Sequence, residues 1–183
     1  MMRHPASITR SVLIVIGLSG GVTGLRSDQP IRAEVARAFV RQLQADDPDV
    51  AAFNLELDIR LANRSATGVD IPKPKVGDAE TTRIVVLGVD SKQENGPWTS
   101  LIQSSWYDVG NSKYDMCTRL PEGEAKEFKN VKSGLLLLRT QLRGLGQEPT
   151  IRLDLMVICR KQDGKVISER TTTEAFGLRL PAQ

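Results

Sequence analysis

Residues 53–61, Phe-Asn-Leu-Glu-Leu-Asp-Ile-Arg-Leu, alternate apolar and polar side chains without interruption. Successive side chains of a strand point to opposite faces, so Phe53, Leu55, Leu57, Ile59 and Leu61 share one buried face. Asn54, Glu56, Asp58 and Arg60 meet water on the other. A sheet with one wet face is usually antiparallel, whereas parallel βαβ cores read as continuous apolar runs. This one stretch therefore predicts a mainly β chain, an antiparallel β-sandwich, and argues against a nucleotide-binding α/β core.

The rest of the chain adds turns and strands at short spacing. Asn63 to Gly68 is a turn, Val69-Asp70-Ile71 a short strand, and Pro72-Lys73-Pro74-Lys75 an edge that resists extension by another chain. Ile84-Val85-Val86-Leu87-Gly88-Val89 is rich in β-branched residues and predicts a long-looped hairpin with residues 98–107. Short strands follow over 114–119 and 125–131, on either side of a Leu-Pro-Glu-Gly-Glu turn. Ile151, Leu153, Leu155, Val157 and Cys159 alternate again, and Asp163-Gly164 predicts a type I′ turn into the last strand. The pattern breaks near Thr171 to Thr173, which suggests a bulge or a change of partner. Leu135, Leu138, Leu142 and Leu145 have helical spacing, yet Leu135 to Leu138 is also a strand-like run; periodicity leaves 134–145 open between the two, with strand neighbours favouring strand.

One helix is expected. Ile31, Val35, Phe39 and Leu43 recur every four residues with Ala38 beside them, and Asp28 and Pro30 suit a helix start. Residues 25–50 thus read as an amphipathic helix and an Asp-rich, Pro-containing linker, ahead of a β-domain over 51–183.

Residues 1–24 read as an export signal: Arg3 and Arg10, then the apolar Val12 to Leu18, then small residues up to Gly24. Cleavage there would leave 23 basic against 22 acidic residues, so the basic pI is partly the leader's and argues against a nucleic-acid partner. A membrane partner enters only if the leader stays uncleaved. Localisation is then extracytoplasmic: periplasmic, secreted or envelope-associated. In that setting Cys117 and Cys159, the two cysteines of the chain, are expected to form a disulfide rather than stand as separate thiols.

The sole histidine, His4, falls in the leader. The mature chain then lacks a Ser-His-Asp or Cys-His arrangement and an imidazole metal ligand, and it has no glycine-rich phosphate loop. The expectation is a non-enzymatic domain with no cofactor and no metal. Trp98, Trp106, Tyr107 and Tyr114 fall within 17 residues rich in Ser, Gly and Asn and form the candidate binding surface, for a protein or glycan partner. The bland alternative puts Trp98 and Trp106 in the core beside Leu101 and Ile102. A rival function is small-ligand binding or carboxylate-based hydrolysis in a pocket between helix and sheet. Asn63-Arg64-Ser65 has the form of an N-glycosylation triplet and reads as turn chemistry instead.

This order of strands, the Asn-Arg-Ser turn, the proline-bearing edge, the long hairpin and the cysteine on the penultimate strand resembles Ig-like or fibronectin-III-like domains of bacterial cell envelopes, over residues 53–181. The resemblance implies an Ig-like sandwich and an interaction role. It departs from the antibody pattern, which places a tryptophan between its two cysteines; here Trp98 and Trp106 both precede Cys117.

Overall fold

The computed structural model describes residues 29–43, 52–74, 84–92, 96–103, 115–142 and 144–180. The proposed leader, the Asp-rich linker, and Trp106, Tyr107 and Tyr114 lie outside the described residues. About two thirds of those described lie in antiparallel strands.

The alternating stretch forms β2 (Ala52–Asn63), in which Phe53, Leu55, Leu57, Ile59 and Leu61 are all buried. It lies between β1 (Ile31–Leu43) and β7 (Ala125–Leu138), antiparallel to both. β1 corrects the expected helix. Its ladder with β2 slips between Val35 and Arg37, so Ile31 and Ala33 point inwards before the slip, and Ala38 and Val40 after it. One extra residue resets the alternation. The resulting spacing of apolar residues imitates a helical stripe, while Phe39 turns to the outer face beneath the Arg37 guanidinium. Pairing with β2 along almost the whole strand outweighs a weak local helical preference.

β7 carries two irregularities of its own. At the first, Asn130 adopts a φ of 55° and donates its backbone N–H to Asp58 Oδ1 at 3.0 Å. At the second, buried Ser133 accepts the Leu55 N–H and lies 2.8 Å from Asn54 Oδ1. Its hydroxyl thus replaces ladder bonds that the slip removes. The ambiguous leucine segment resolves accordingly. It is strand to Leu138, then a single helical turn, α1 (Arg139–Leu142), whose Leu142 is buried.

A second sheet forms around β8 (Thr150–Arg160). β4 (Ile84–Lys92) pairs along one edge of β8, and β5 (Trp98–Gln103) pairs beyond β4. β9 (Val166–Thr172) and β10 (Phe176–Gly177) share the other edge of β8. A separate ribbon, β3 (Val69–Pro72) with β6 (Cys117–Leu120), contributes Ile71 and Leu120, both fully buried. The inner faces of the sheets and the ribbon meet in one hydrophobic cluster, to which β2 gives Leu55, Leu57 and Ile59 and β8 gives Ile151, Leu153 and Leu155. Each such side chain contributes about 1.5–3 kcal/mol by leaving water.

Near Thr171 the chain keeps β8 as its partner and gains β1 on the other side. Thr173 bridges Ala33 of β1 in parallel, its N–H donating to the Leu153 carbonyl and its hydroxyl accepting the Leu153 N–H, both at 2.9 Å. The Thr171 hydroxyl donates to the Ile31 carbonyl at 2.8 Å. This seam stitches β1 to the second sheet. The β8–β9 turn also departs from expectation. A type I′ turn requires positive φ at both central residues, but only Gly164 has it, at 85°. Lys161 instead accepts the Gly164 N–H at 3.0 Å and donates its own to Lys165 at 2.8 Å. The turn is type I, closed by a left-handed glycine.

Candidate functional site

β4 places alternate residues on opposite faces of the second sheet. Ser91 sits opposite Ile151 and is buried, whereas Asp90 opposes Arg152 and Ser100, and Lys92 opposes Trp98. Cross-strand partners share a face, so Trp98, Ser100, Asp90, Lys92 and Arg152 stand together on the outer face. Trp98 is therefore not a core residue. It is half-buried, while Leu101 and Ile102, its expected core companions, pack against the main cluster. A one-residue slip between Val89 and Asp90 separates the two behaviours along β5.

The Arg152 guanidinium lies 4.3 Å from the Trp98 ring centroid. Its Nε donates to Asp90 Oδ2 at 3.0 Å. The carboxylate thus aims the guanidinium at the ring, and the pair fixes the indole at little further entropy cost. Two residues on, Asp154 of β8 receives the Arg170 guanidinium from β9, with Nε 3.1 and 3.0 Å from its two oxygens. Beyond that pair the same sheet turns apolar: Leu87, Met156 and Ile158 form a small buried cluster with Val85 packed against it.

A second polar cluster lies where the ribbon meets the end of β8. Asp70 of β3 accepts from Arg119, its cross-strand partner, at 3.3 Å and pairs with Lys161 at 3.0 Å. Burial by itself would raise the Asp70 carboxyl; the hydrogen bonds from Lys161 and Arg119 outweigh it and hold the group below its ordinary value. A carboxyl lowered in the folded state stabilises at neutral pH, and that contribution disappears as pH falls through its folded value. Asp70→Asn is expected to cost no more than about 1 kcal/mol, since both cations are well exposed. Urea unfolding checks this: the gap between wild type and variant is present at neutral pH and closes in strong acid.

The structure separates the remaining sequence candidates. Cys117 and Cys159 are joined, with a Cα–Cα distance of 5.1 Å, tying the ribbon to β8. Glu122 and Glu124 are exposed around the tight turn at Gly123 (φ 72°), and Glu127 faces Arg60 across β7 and β2. The pocket suggested between helix and sheet loses its helix, because 31–43 is strand β1. Among the described residues no three His, Cys, Asp or Glu side chains converge as metal ligands. Sequence reading missed the partners of Trp98. Arg152 and Asp90 are 62 positions apart, and only the β4–β8 register brings them together.

No protein-family model matches the chain, and no curated protein does so. Among solved structures, the chain is similar to Northeast Structural Genomics Consortium target SoR45, known from its X-ray structure. The two are 14% identical over 83% of this chain and 88% of that one, with a TM-score of 0.38. A likeness that loose leaves fold and function to the strands and side chains themselves.

Proposed function

We propose that this chain is an extracytoplasmic, non-enzymatic interaction domain of Ig-like β-sandwich type, meeting a protein or glycan partner through the outer face of its second sheet. One observation carries the reading: Trp98 of β5 is withheld from the core and held on the wet face by Arg152 and Asp90. Tryptophan is highly buried on average, so an indole fixed at a surface is a feature of binding faces. The Cys117–Cys159 disulfide supports an oxidising compartment. Among the described residues no helix is long and apolar enough to cross a membrane. Two inner faces joined by one core support the sandwich, although the disulfide ties ribbon to sheet rather than following the antibody pattern.

Co-sedimentation with envelopes of the producing cells tests the proposal. Wild type is expected in the pellet. Trp98→Ala is expected mainly in the supernatant, with its thermal midpoint shifted little, because Trp98 is no part of the core. Equal partitioning of the two, or no pelleting of wild type, refutes it.

A further inference from the structure

The outer face of the second sheet also says something about the chemistry of its partner. Resting on the interaction reading above, we infer that the Trp98 face takes a neutral glycan. Among the described residues Arg152 is paired with Asp90 and Arg170 with Asp154, and Lys92 adds a further cation beside Trp98. Three cations against two carboxylates leave little net charge. A polyanion would meet Asp90 and Asp154 as well as the cations. A protein hot spot sits in a well-packed, fully desolvated pocket whose surrounding contacts exclude water. Among the described residues Trp98 is opposed by Lys92 and covered by Arg152, which Asp90 holds, with Ser100 on the same face; the apolar Leu87, Met156 and Ile158 lie farther along β4 and β8.

Such a setting matches a sugar ring. A pyranose offers an apolar C–H face that stacks on a flat indole, and hydroxyls at its edge that pair with carboxylate oxygens and guanidinium N–H groups. Asp90 uses Oδ2 for Arg152 Nε. Each carboxylate oxygen accepts more than one bond, and the terminal guanidinium nitrogens of Arg152 are further donors. Ser100 is exposed beside them. Sugar stacking here needs no net charge on the ligand, and its binding should depend little on salt.

The test uses the full chain with envelopes of the producing cells, untreated or stripped of protein by protease, at low and high salt. Pelleting that survives both protease and high salt is expected, with a roughly tenfold loss of affinity in Trp98→Ala and recovery of most of it in Trp98→Tyr. Loss of pelleting after protease assigns a protein partner and overturns the inference while leaving the interaction reading intact. Loss in high salt alone assigns a polyanion and overturns it too. Undiminished pelleting of Trp98→Ala overturns both.

Discussion

Replacing Asn63 by alanine is expected to lower the unfolding free energy by about 2–4 kcal/mol, a large effect for a residue in a surface-seeking triplet. Asn63 ends β2 and is 2% exposed. Its Nδ2 donates to the Thr67 carbonyl at 2.7 Å and to the Leu120 carbonyl at 3.1 Å. Its Oδ1 accepts the Ser65 N–H at 2.8 Å and lies equally close to the Ser65 hydroxyl. Both donors of the amide and one acceptor site are in use, and the single Ser65 hydroxyl proton lies between Oδ1 and the Thr67 carbonyl, 2.6 Å away. Alanine would take a donor from the Leu120 and Thr67 carbonyls, the second keeping the Ser65 hydroxyl at 2.6 Å, and the acceptor from the Ser65 N–H, at the place where β2, the 65–67 turn and β6 meet. Asn63→Asp should be no milder at neutral pH, because a carboxylate oxygen would face two carbonyls in place of an N–H₂ group. Its deficit should shrink in acid, where the protonated form regains an O–H donor. Urea titrations of both variants at neutral and acid pH check this; losses under about 0.5 kcal/mol would refute the network's importance. The same geometry explains the Asn-Arg-Ser triplet. The nitrogen that glycosylation would modify is the donor holding two strands together, so the triplet serves the turn.

How far the fold was legible depended on whether alternation ran unbroken. β2 and β8 keep strict alternation on their inner faces, and the buried apolar residues of those faces are the ones the sequence picked out; Met156 and Ile158, on the other face of β8, are buried as well. β1 has the same physics but one slipped residue, and that residue converts an alternating pattern into a four-residue one. Nothing local distinguishes the two, because the slip is decided by the partner strand. The leucine run of β7 failed to declare itself for a similar reason: strand and helical turn meet at Leu138, so each template matches half of it. The turn at Gly164 was visible from its residues, but its type was not. Asp-Gly permits both versions, and the bond between Lys161 and Lys165 selects one. At the candidate site, aromatic content pointed to Trp98. Its face and its partners depend on long-range register, which no window of sequence contains.

Opening the Cys117–Cys159 disulfide is expected to have the other large effect. The bridge spans 42 positions, and in the chain-entropy picture a loop of that length is worth about 4 kcal/mol, an upper figure. A fall in melting temperature of about 5–15 °C follows for a chain of this size. The loss should be uneven. The bridge joins β6 to β8, and β6 pairs only with β3 among the described strands, over four residues each. Two-stranded ribbons are marginal by themselves. What would remain includes the burial of Ile71 and Leu120, the Asn63 bond to the Leu120 carbonyl, the Asp70 ion pairs, and the Met116–Arg160 bridge beside the Arg160 N–H bond to Asp115. In the double variant Cys117→Ala with Cys159→Ala, amides of residues 69–71 and 117–120 should lose hydrogen-exchange protection first, while those of β2 and β8 keep theirs. Alanine suits Cys159 in particular, since that side chain is 1% exposed and a hydroxyl there would be buried. An unchanged melting temperature, or protection lost evenly through every strand, would mean that the ribbon is held by its apolar residues and the bridge is incidental. A selective loss would identify the ribbon as the least stable unit of the fold, dependent on an oxidising compartment to stay docked.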